Sequence, residues 1–227
     1  MILIVRFFIK DMNIWKTIVS LFTKDNKKEK AENKMKFLIA GLGNIGDEYD
    51  GTRHNIGFRV ADALAASCNI TFEDKRYGFV GTGRAKSAEL VILKPSTYMN
   101  LSGNAVRYWL QKENIPVERM LVVCDDISLP FGKLRMRPGG SDGGHNGLKD
   151  IEYRLGTTNW SRIRIGVGND FHPGSQVDYV LGQFEDEQKA LIPEICSKVI
   201  EGIKNYSTMG PDRAMNLLNT RHKSADK

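Results

Sequence analysis

Apolar and polar positions along this chain follow two rhythms that alternate across short polar loops. Lys36 to Gly41 is a brief apolar run ending in glycine, as a buried strand does. Residues 56–68 then bring Val60, Ala61, Leu64, Ala65 and Cys68 onto one helical face. Segments 79–84 and 89–94 read as strands, and 101–112 as a helix with Leu101, Ala105, Trp109 and Leu110 on one side. Residues 120–124 form a third strong apolar strand, while 133–137 alternates charged and apolar, as a half-exposed strand does. A helix follows at 145–155, then a strand face of Ile163, Ile165 and Val167, then helices near 185–206 and 212–219. Strands alternate with helices and nothing repeats. This predicts a single α/β domain over residues 35–220, with a central mixed, mostly parallel twisted sheet flanked by helices and a polar tail at 221–227.

Residues 1–34 break this pattern. The first nine are mostly apolar, Ile14, Trp15, Ile18, Leu21 and Phe22 recur at helical spacing, and KDNKKEKAENK is a charged linker. A signal peptide would need a basic start, a clean apolar core and a small-residue cleavage site, which are missing. A short amphipathic helix on a membrane surface is one reading. The plainer expectation is an extension or a mis-assigned start, with Met35 beginning the domain.

Charge refines the picture by its location. The net charge is +6, but residues 1–34 hold eight Lys/Arg against four Asp/Glu, and the other 193 residues hold 25 against 23. Any nucleic-acid site must therefore rest on local clusters rather than on overall basicity. Three widely spaced cysteines, Cys68, Cys124 and Cys196, make neither a disulfide framework nor a metal knuckle, which predicts a reducing compartment. No stretch approaches the ~20 apolar residues of a membrane span. His54, His145, His172 and His222 lack ligand spacing, so no metal is expected.

The candidate chemistry gathers where strands end. Residues 41–57, GLGNIGDEYDGTRHNIG, contain a G-x-G-x-x-G after a strand. A dinucleotide site would need an immediate helix and an acid ~20 residues on, at the end of a second strand. Here Asp47, Glu48 and Asp50 follow and would repel a pyrophosphate, and the acid's place falls inside a helix. The glycines fit better as a frame presenting Asn44 at the strand end, although a simple turn asparagine has the same look. His54 stands just before the next helix and could act as a general base. The second strand runs into KPSTYMN with Asn100, and the third ends in Asp125 and Asp126. If these strands are neighbours, Asp125 can orient His54. No G-x-S-x-G supplies a nucleophile, which leaves water, and a hydrolysis.

Two further features stay open between alternatives. Residues 139–147, GGSDGGHNG, open a helix and could offer free N–H groups to an anion or a carbonyl, or could be a loop with an asparagine cap. Lys133, Arg135 and Arg137 share one strand face, as do Arg162 and Arg164 on a later strand. Such rows grip phosphates if they face a groove, and protect an edge strand if they do not.

Taken in order, the motifs GLGN-x-G-x-x-Y-x-x-T-R-H-N-x-G, KP-x-T-Y-M-N-x-S-G, D-D with L-P-x-G, G-G-x-x-G-G-H-N-G-L-K and R-I-R-I-G-V-G resemble those of bacterial peptidyl-tRNA hydrolases. The resemblance runs from Met35 to about Asn219. It implies a cofactor-free esterase, expected to be a cytoplasmic monomer, that frees tRNA from stalled peptide. His54 would activate water, Asp125 would orient it, and Asn44 and Asn100 would hold substrate and the developing oxyanion. Asn146 would hold the peptide or the terminal adenosine side, and Met99 and Tyr98 would border the cleft. Tyr49 would pack near the base, and His145 would support. Arg135, Arg137 and Arg164 would clamp tRNA phosphate. The alternative is a non-catalytic RNA-binding module of the same fold. Three departures stand out. Ile45 replaces a common proline, arginines stand at 135 and 137 where lysines are common, and Ser128 replaces an acidic residue two before the L-P-x-G proline.

Overall fold

The computed structural model describes residues 35–221. The expectations for residues 1–34, for His222 and for the tail after residue 221 lie outside the described residues. Seven strands form one mixed sheet: β1 (Lys36–Gly41), β2 (Glu73–Lys75), β3 (Gly78–Ala85), β4 (Ala88–Pro95), β5 (Met120–Asp126), β6 (Leu134–Arg137) and β7 (Ser161–Gly166). Their spatial order is β2-β3-β4-β1-β5-β7-β6. The four central strands β4, β1, β5 and β7 are mutually parallel, and antiparallel strands close both sides. This is the single α/β domain expected from the sequence.

The helices among the described residues are α1 (Ile56–Ser67), α2 (Ser102–Lys112), α3 (Asn146–Leu155), α4 (Gln176–Leu181), α5 (Asp186–Met209) and α6 (Pro211–Arg221). Side chains alternate across the sheet with period two, and each face has its own core. Ile39, Ile92, Leu121, Val123 and Ile163 face α1, α5 and α6. Leu38, Val91, Leu93, Val122 and Cys124 face α2 and α3. Both faces are covered, so β5 is buried along its whole length, including its terminal carboxylates.

Local devices fix the elements at the working end of the sheet. A Cβ on Gly41 would lie 2.2 Å from the Gly57 carbonyl oxygen, and one on Gly57 would lie 2.4 Å from Leu42 backbone. This glycine pair lets the start of α1 sit directly on the ends of β1 and β5, and His54 immediately precedes it. A capping box between Glu185 and Gln188 starts α5. Three details differ from the periodicity. Leu101 is exposed, because the turn Met99–Leu101 precedes the helix rather than belonging to its apolar face. The three-residue β2 is too short and polar to register. The six-residue α4 lies between glycines Gly174 and Gly182 and spans too few turns to show a period.

Candidate active site

The carboxyl ends of β1, β4, β5 and β7 open into one cleft of about 230 Å³. Asn44, His54, Met99, Asn100, Asp125, His145, Asn146 and Arg164 all line it. Eight residues singled out from sequence, drawn from five separate motifs, thus meet at the place where ligands bind in open α/β sheets. Four others fall elsewhere. Tyr49 is half-buried outside the lining, Tyr98 is exposed beside it, and Arg135 and Arg137 stand exposed on β6.

Asp125 is the hub. Its side chain is 3% exposed, yet its Oδ1 meets two imidazoles, His54 Nδ1 at 2.8 Å and His145 Nε2 at 3.0 Å. Burial alone would push this carboxyl up. The facing His145 and His54 outweigh it and hold Asp125 well below the usual carboxylate range. An ionised Asp125 accepts the Nδ1 proton of His54 and leaves Nε2 with a free lone pair. That is the state a general base needs.

His145 is wired at both ring nitrogens. Its Nδ1 accepts from the backbone N–H groups of Gly147 and Leu148, at 3.1 and 3.3 Å, capping α3. The proton therefore sits on Nε2 and is donated to Asp125. This corrects the sequence expectation for residues 139–147 in two ways. The cap is His145 rather than an asparagine, and these two N–H groups are spent on it rather than offered to an anion.

Asn44 is equally constrained. The Asn55 side chain brackets its backbone, accepting from Asn44 N at 2.8 Å and donating to Asn44 O at 3.0 Å. The Asn44 Oδ1 accepts from Met99 N at 2.7 Å. With its acceptor engaged, Asn44 has its Nδ2 donors left for the cleft. Asn55 went unassigned in the sequence. Its signal was a buried amide beside His54, and a buried amide must find partners.

Arg162 and Arg164 do share a face of β7, but Arg162 is no groove cation. It is 1% exposed, lies 3.7 Å over the Trp160 ring and donates to four backbone carbonyls. Burial and the neighbouring Arg164 lower its pKa to about 10, which leaves it charged at neutral pH. Across the β6–β7 ladder Arg135 is paired with Arg164, and Arg137 with Arg162. Like charges placed opposite one another are unfavourable unless an acid or a bound anion compensates. The remaining walls of the cleft are Asp126, which the sequence put at the same strand end as Asp125, the loop glycines Gly143 and Gly144, and Ile127 with the α4 residues Gln176, Val177, Val180 and Leu181, which the periodicity did not place there.

His54, Asp125 and His145 bring three donor atoms within 4.8 Å of one another. A metal would need a lone pair from each ring. His145 could offer one only by moving its proton to Nδ1, against the two backbone N–H groups it caps. The arrangement suits proton handling better than metal binding.

An α/β sheet that ends in an imidazole, a buried carboxylate and converging amides is the architecture of a hydrolase. The model of the family described as Peptidyl-tRNA hydrolase matches residues 38–226. Curated peptidyl-tRNA hydrolases of Parabacteroides distasonis and Porphyromonas gingivalis are 56% and 54% identical over 187 and 185 residues, covering 82% of this chain and all of theirs. The crystal structure of peptidyl-tRNA hydrolase from Acinetobacter baumannii superposes with a TM-score of 0.76 at 34% identity, covering 81% of this chain and 94% of that one. The chain belongs to the peptidyl-tRNA hydrolase family. No helix among the described residues is long and apolar enough to cross a membrane.

Proposed function

We propose that this protein hydrolyses the ester joining a peptide to the 3′ oxygen of tRNA, with His54 as general base and water as nucleophile. The observation that carries the reading is the 2.8 Å contact from His54 Nδ1 to the buried Asp125 carboxylate. It holds the Nδ1 proton toward Asp125, so that the neutral ring carries its free lone pair on Nε2, in a residue that lines the cleft.

A water held by Nε2 attacks the ester carbonyl while His54 takes its proton. The carbonyl oxygen becomes an oxyanion, and the Asn44 Nδ2 and Asn100 amides donate to it. As the intermediate collapses, the ribose 3′ oxygen leaves and recovers the proton from His54. The products are a peptide carboxylate and a free tRNA 3′ hydroxyl. Asp125 stays ionised and stabilises the imidazolium formed in between.

Asn146 and Met99 flank the esterified residue, and Tyr98 lies at the rim. Tyr49 braces the loop below, where its carbonyl accepts from Thr52. Arg135 and Arg137 form an exposed row that grips acceptor-stem phosphates, with Arg164 at its inner end. The exposed guanidinium groups of Arg135 and Arg137, with Arg164 opposite Arg135, support an anionic partner. No step requires a cofactor, the protein acts as a monomer, and its place is the cytoplasm, where tRNA is charged and used.

The deciding experiment is release of free peptide from purified peptidyl-tRNA, without added metal, by the wild type and by His54→Ala. Release by the wild type alone supports the reading. Equal release by both removes His54 as the base. Tight tRNA binding without any release would favour the RNA-binding module instead.

A further inference from the structure

The loop 139–145 carries His145 and leads directly to Asn146, yet little in its sequence makes it rigid. Gly140, Gly143 and Gly144 all adopt positive φ, and most of its residues are exposed. Its far end is held where His145 meets Asp125 and the first turn of α3, and Asp142 Oδ1 accepts from Gly144 N at 2.7 Å. Its first half is held from β7. Arg162 Nη1 donates to the carbonyls of Gly140 and Ser141, at 2.7 and 3.1 Å. Arg164 Nη2 donates to Ser141 O at 2.7 Å, and its guanidinium packs so closely that a Cβ on Gly143 would lie 2.3 Å from Nη1.

Arg162 is held by burial and by Trp160. Arg164 has no such cage, and it stands opposite Arg135, whose charge favours turning it outward. The inward pull is Asp126, whose Oδ2 accepts from Arg164 Nη1 at 3.3 Å. Asp126 is in turn fixed by Ser128, which donates to its Oδ1 from the backbone N at 2.8 Å and from Oγ at 2.6 Å.

We propose that Ser128 is a positioning residue: through Asp126 and Arg164 it latches the glycine-rich loop so that His145 and Asn146 face the cleft. The hydroxyl is the feature that matters. An acidic side chain at 128 could not donate to Asp126 and would set a second negative charge beside it, competing for Arg164. The chain of contacts runs Ser128, Asp126, Arg164, Ser141, and it assigns Arg164 to the loop as much as to any phosphate.

The proposal rests on the hydrolase reading, so the test separates the two. Ser128→Ala and Ser128→Thr are compared with wild type in peptide release, in salt titration and in amide hydrogen exchange over residues 139–147. Ser128→Ala keeps the backbone bond and loses the hydroxyl. Its kcat should fall roughly three- to tenfold, as a small misplacement of cleft groups would cause, with KM and salt slope nearly unchanged. Exchange in the loop should rise, and Ser128→Thr should restore both readings. Unchanged turnover and exchange in Ser128→Ala would overturn the latch. So would a fall in kcat with no change in loop exchange, or a loss confined to KM with a flatter salt slope. A wild type that releases no peptide overturns the hydrolase reading, and loop exchange alone then decides the latch.

Discussion

His54 and His145 donate to the same oxygen of one carboxylate, Asp125 Oδ1, from 2.8 and 3.0 Å, with their ring centroids 5.1 Å apart. The two imidazoles have opposite duties. The remaining nitrogen of His54 has no hydrogen-bond partner among the described residues, and His54 lines the cleft. That of His145 is spent on the first turn of α3. One ring keeps a nitrogen for the proposed proton transfer, and the other is a strut held at both nitrogens.

That difference can be separated by substitution. Asparagine is among the best N-cap residues, whereas alanine is a poor one and costs about 1 kcal/mol at such a site. His145→Asn should therefore nearly keep the melting temperature while losing the bond to Asp125. His145→Ala should lose both. If the strut matters for chemistry, kcat falls in both variants, and thermal unfolding falls mainly in the alanine variant. Equal kcat for His145→Asn and wild type would confine His145 to capping.

The base and its orienter should behave as one unit. His54→Ala is expected to lower kcat by about 10²–10⁴, the range for removing a general base, with little change in tRNA binding. Asp125→Asn leaves the volume unchanged but removes the anion that fixes the Nδ1 proton of His54, so a loss of similar size is expected. The double variant should be scarcely worse than either single one. Additive losses in single-turnover assays would show that the pair does not act together.

Asn44 and Asn55 divide support from chemistry. Asn44→Asp keeps an oxygen to accept from Met99 N but replaces the donor aimed at the cleft with a negative charge. Folding should persist, and kcat should drop by at least about 10²–10³, the scale of one lost oxyanion donor. Asn55→Ala strands two buried backbone groups of Asn44, at about 1–3 kcal/mol each, so its melting temperature should fall clearly. Calorimetry and turnover on the same preparations test the split. An Asn44→Asp enzyme with normal kcat would remove Asn44 from the chemistry.

These residues also show what the sequence could and could not reveal. Strand ends carry their own signature, an apolar run closed by Asn44, Asn100 or Asp125, so the cleft was legible once the strands were taken as neighbours. Asn55 was not, because its partner is a backbone eleven positions away that approaches only when Gly41 and Gly57 touch. Arg162 and Arg164 have the same spacing and chemistry. Their fates diverge through Trp160, Asp126 and Ser128, which are tertiary neighbours rather than a pattern. The apolar wall from α4 was hidden because six residues are too few to show a helical period.

The exposed row on β6 predicts a salt effect. Arg135 and Arg137 each meet solvent, and each phosphate they neutralise releases a counterion. Removing one should reduce the slope of log affinity against log salt by roughly 0.7–0.9. Arg135→Ala and Arg137→Ala should raise KM at moderate salt and leave kcat nearly unchanged. Filter binding of tRNA across a salt series checks this. A slope equal to wild type would leave the row as protection of an edge strand.

The last expectation concerns acid. Asp125 has a folded pKa below its unfolded value, because two imidazoles face it despite its burial. For a depressed carboxylate the sign is fixed. Its stabilising contribution is complete above the unfolded value of about 3.9 and is lost only as pH falls through the lower folded one. Asp125 should therefore remain ionised throughout the range in which the enzyme works, and any acid loss of activity above about pH 4 must come from another group. Carbon NMR of labelled aspartates, with Asp125→Asn to assign the signal, should show no Asp125 titration between about pH 4 and 8. A step inside that window would mean that the carboxylate shares the proton with its histidines, and the roles of His54 and Asp125 in the proton transfer would have to be redrawn.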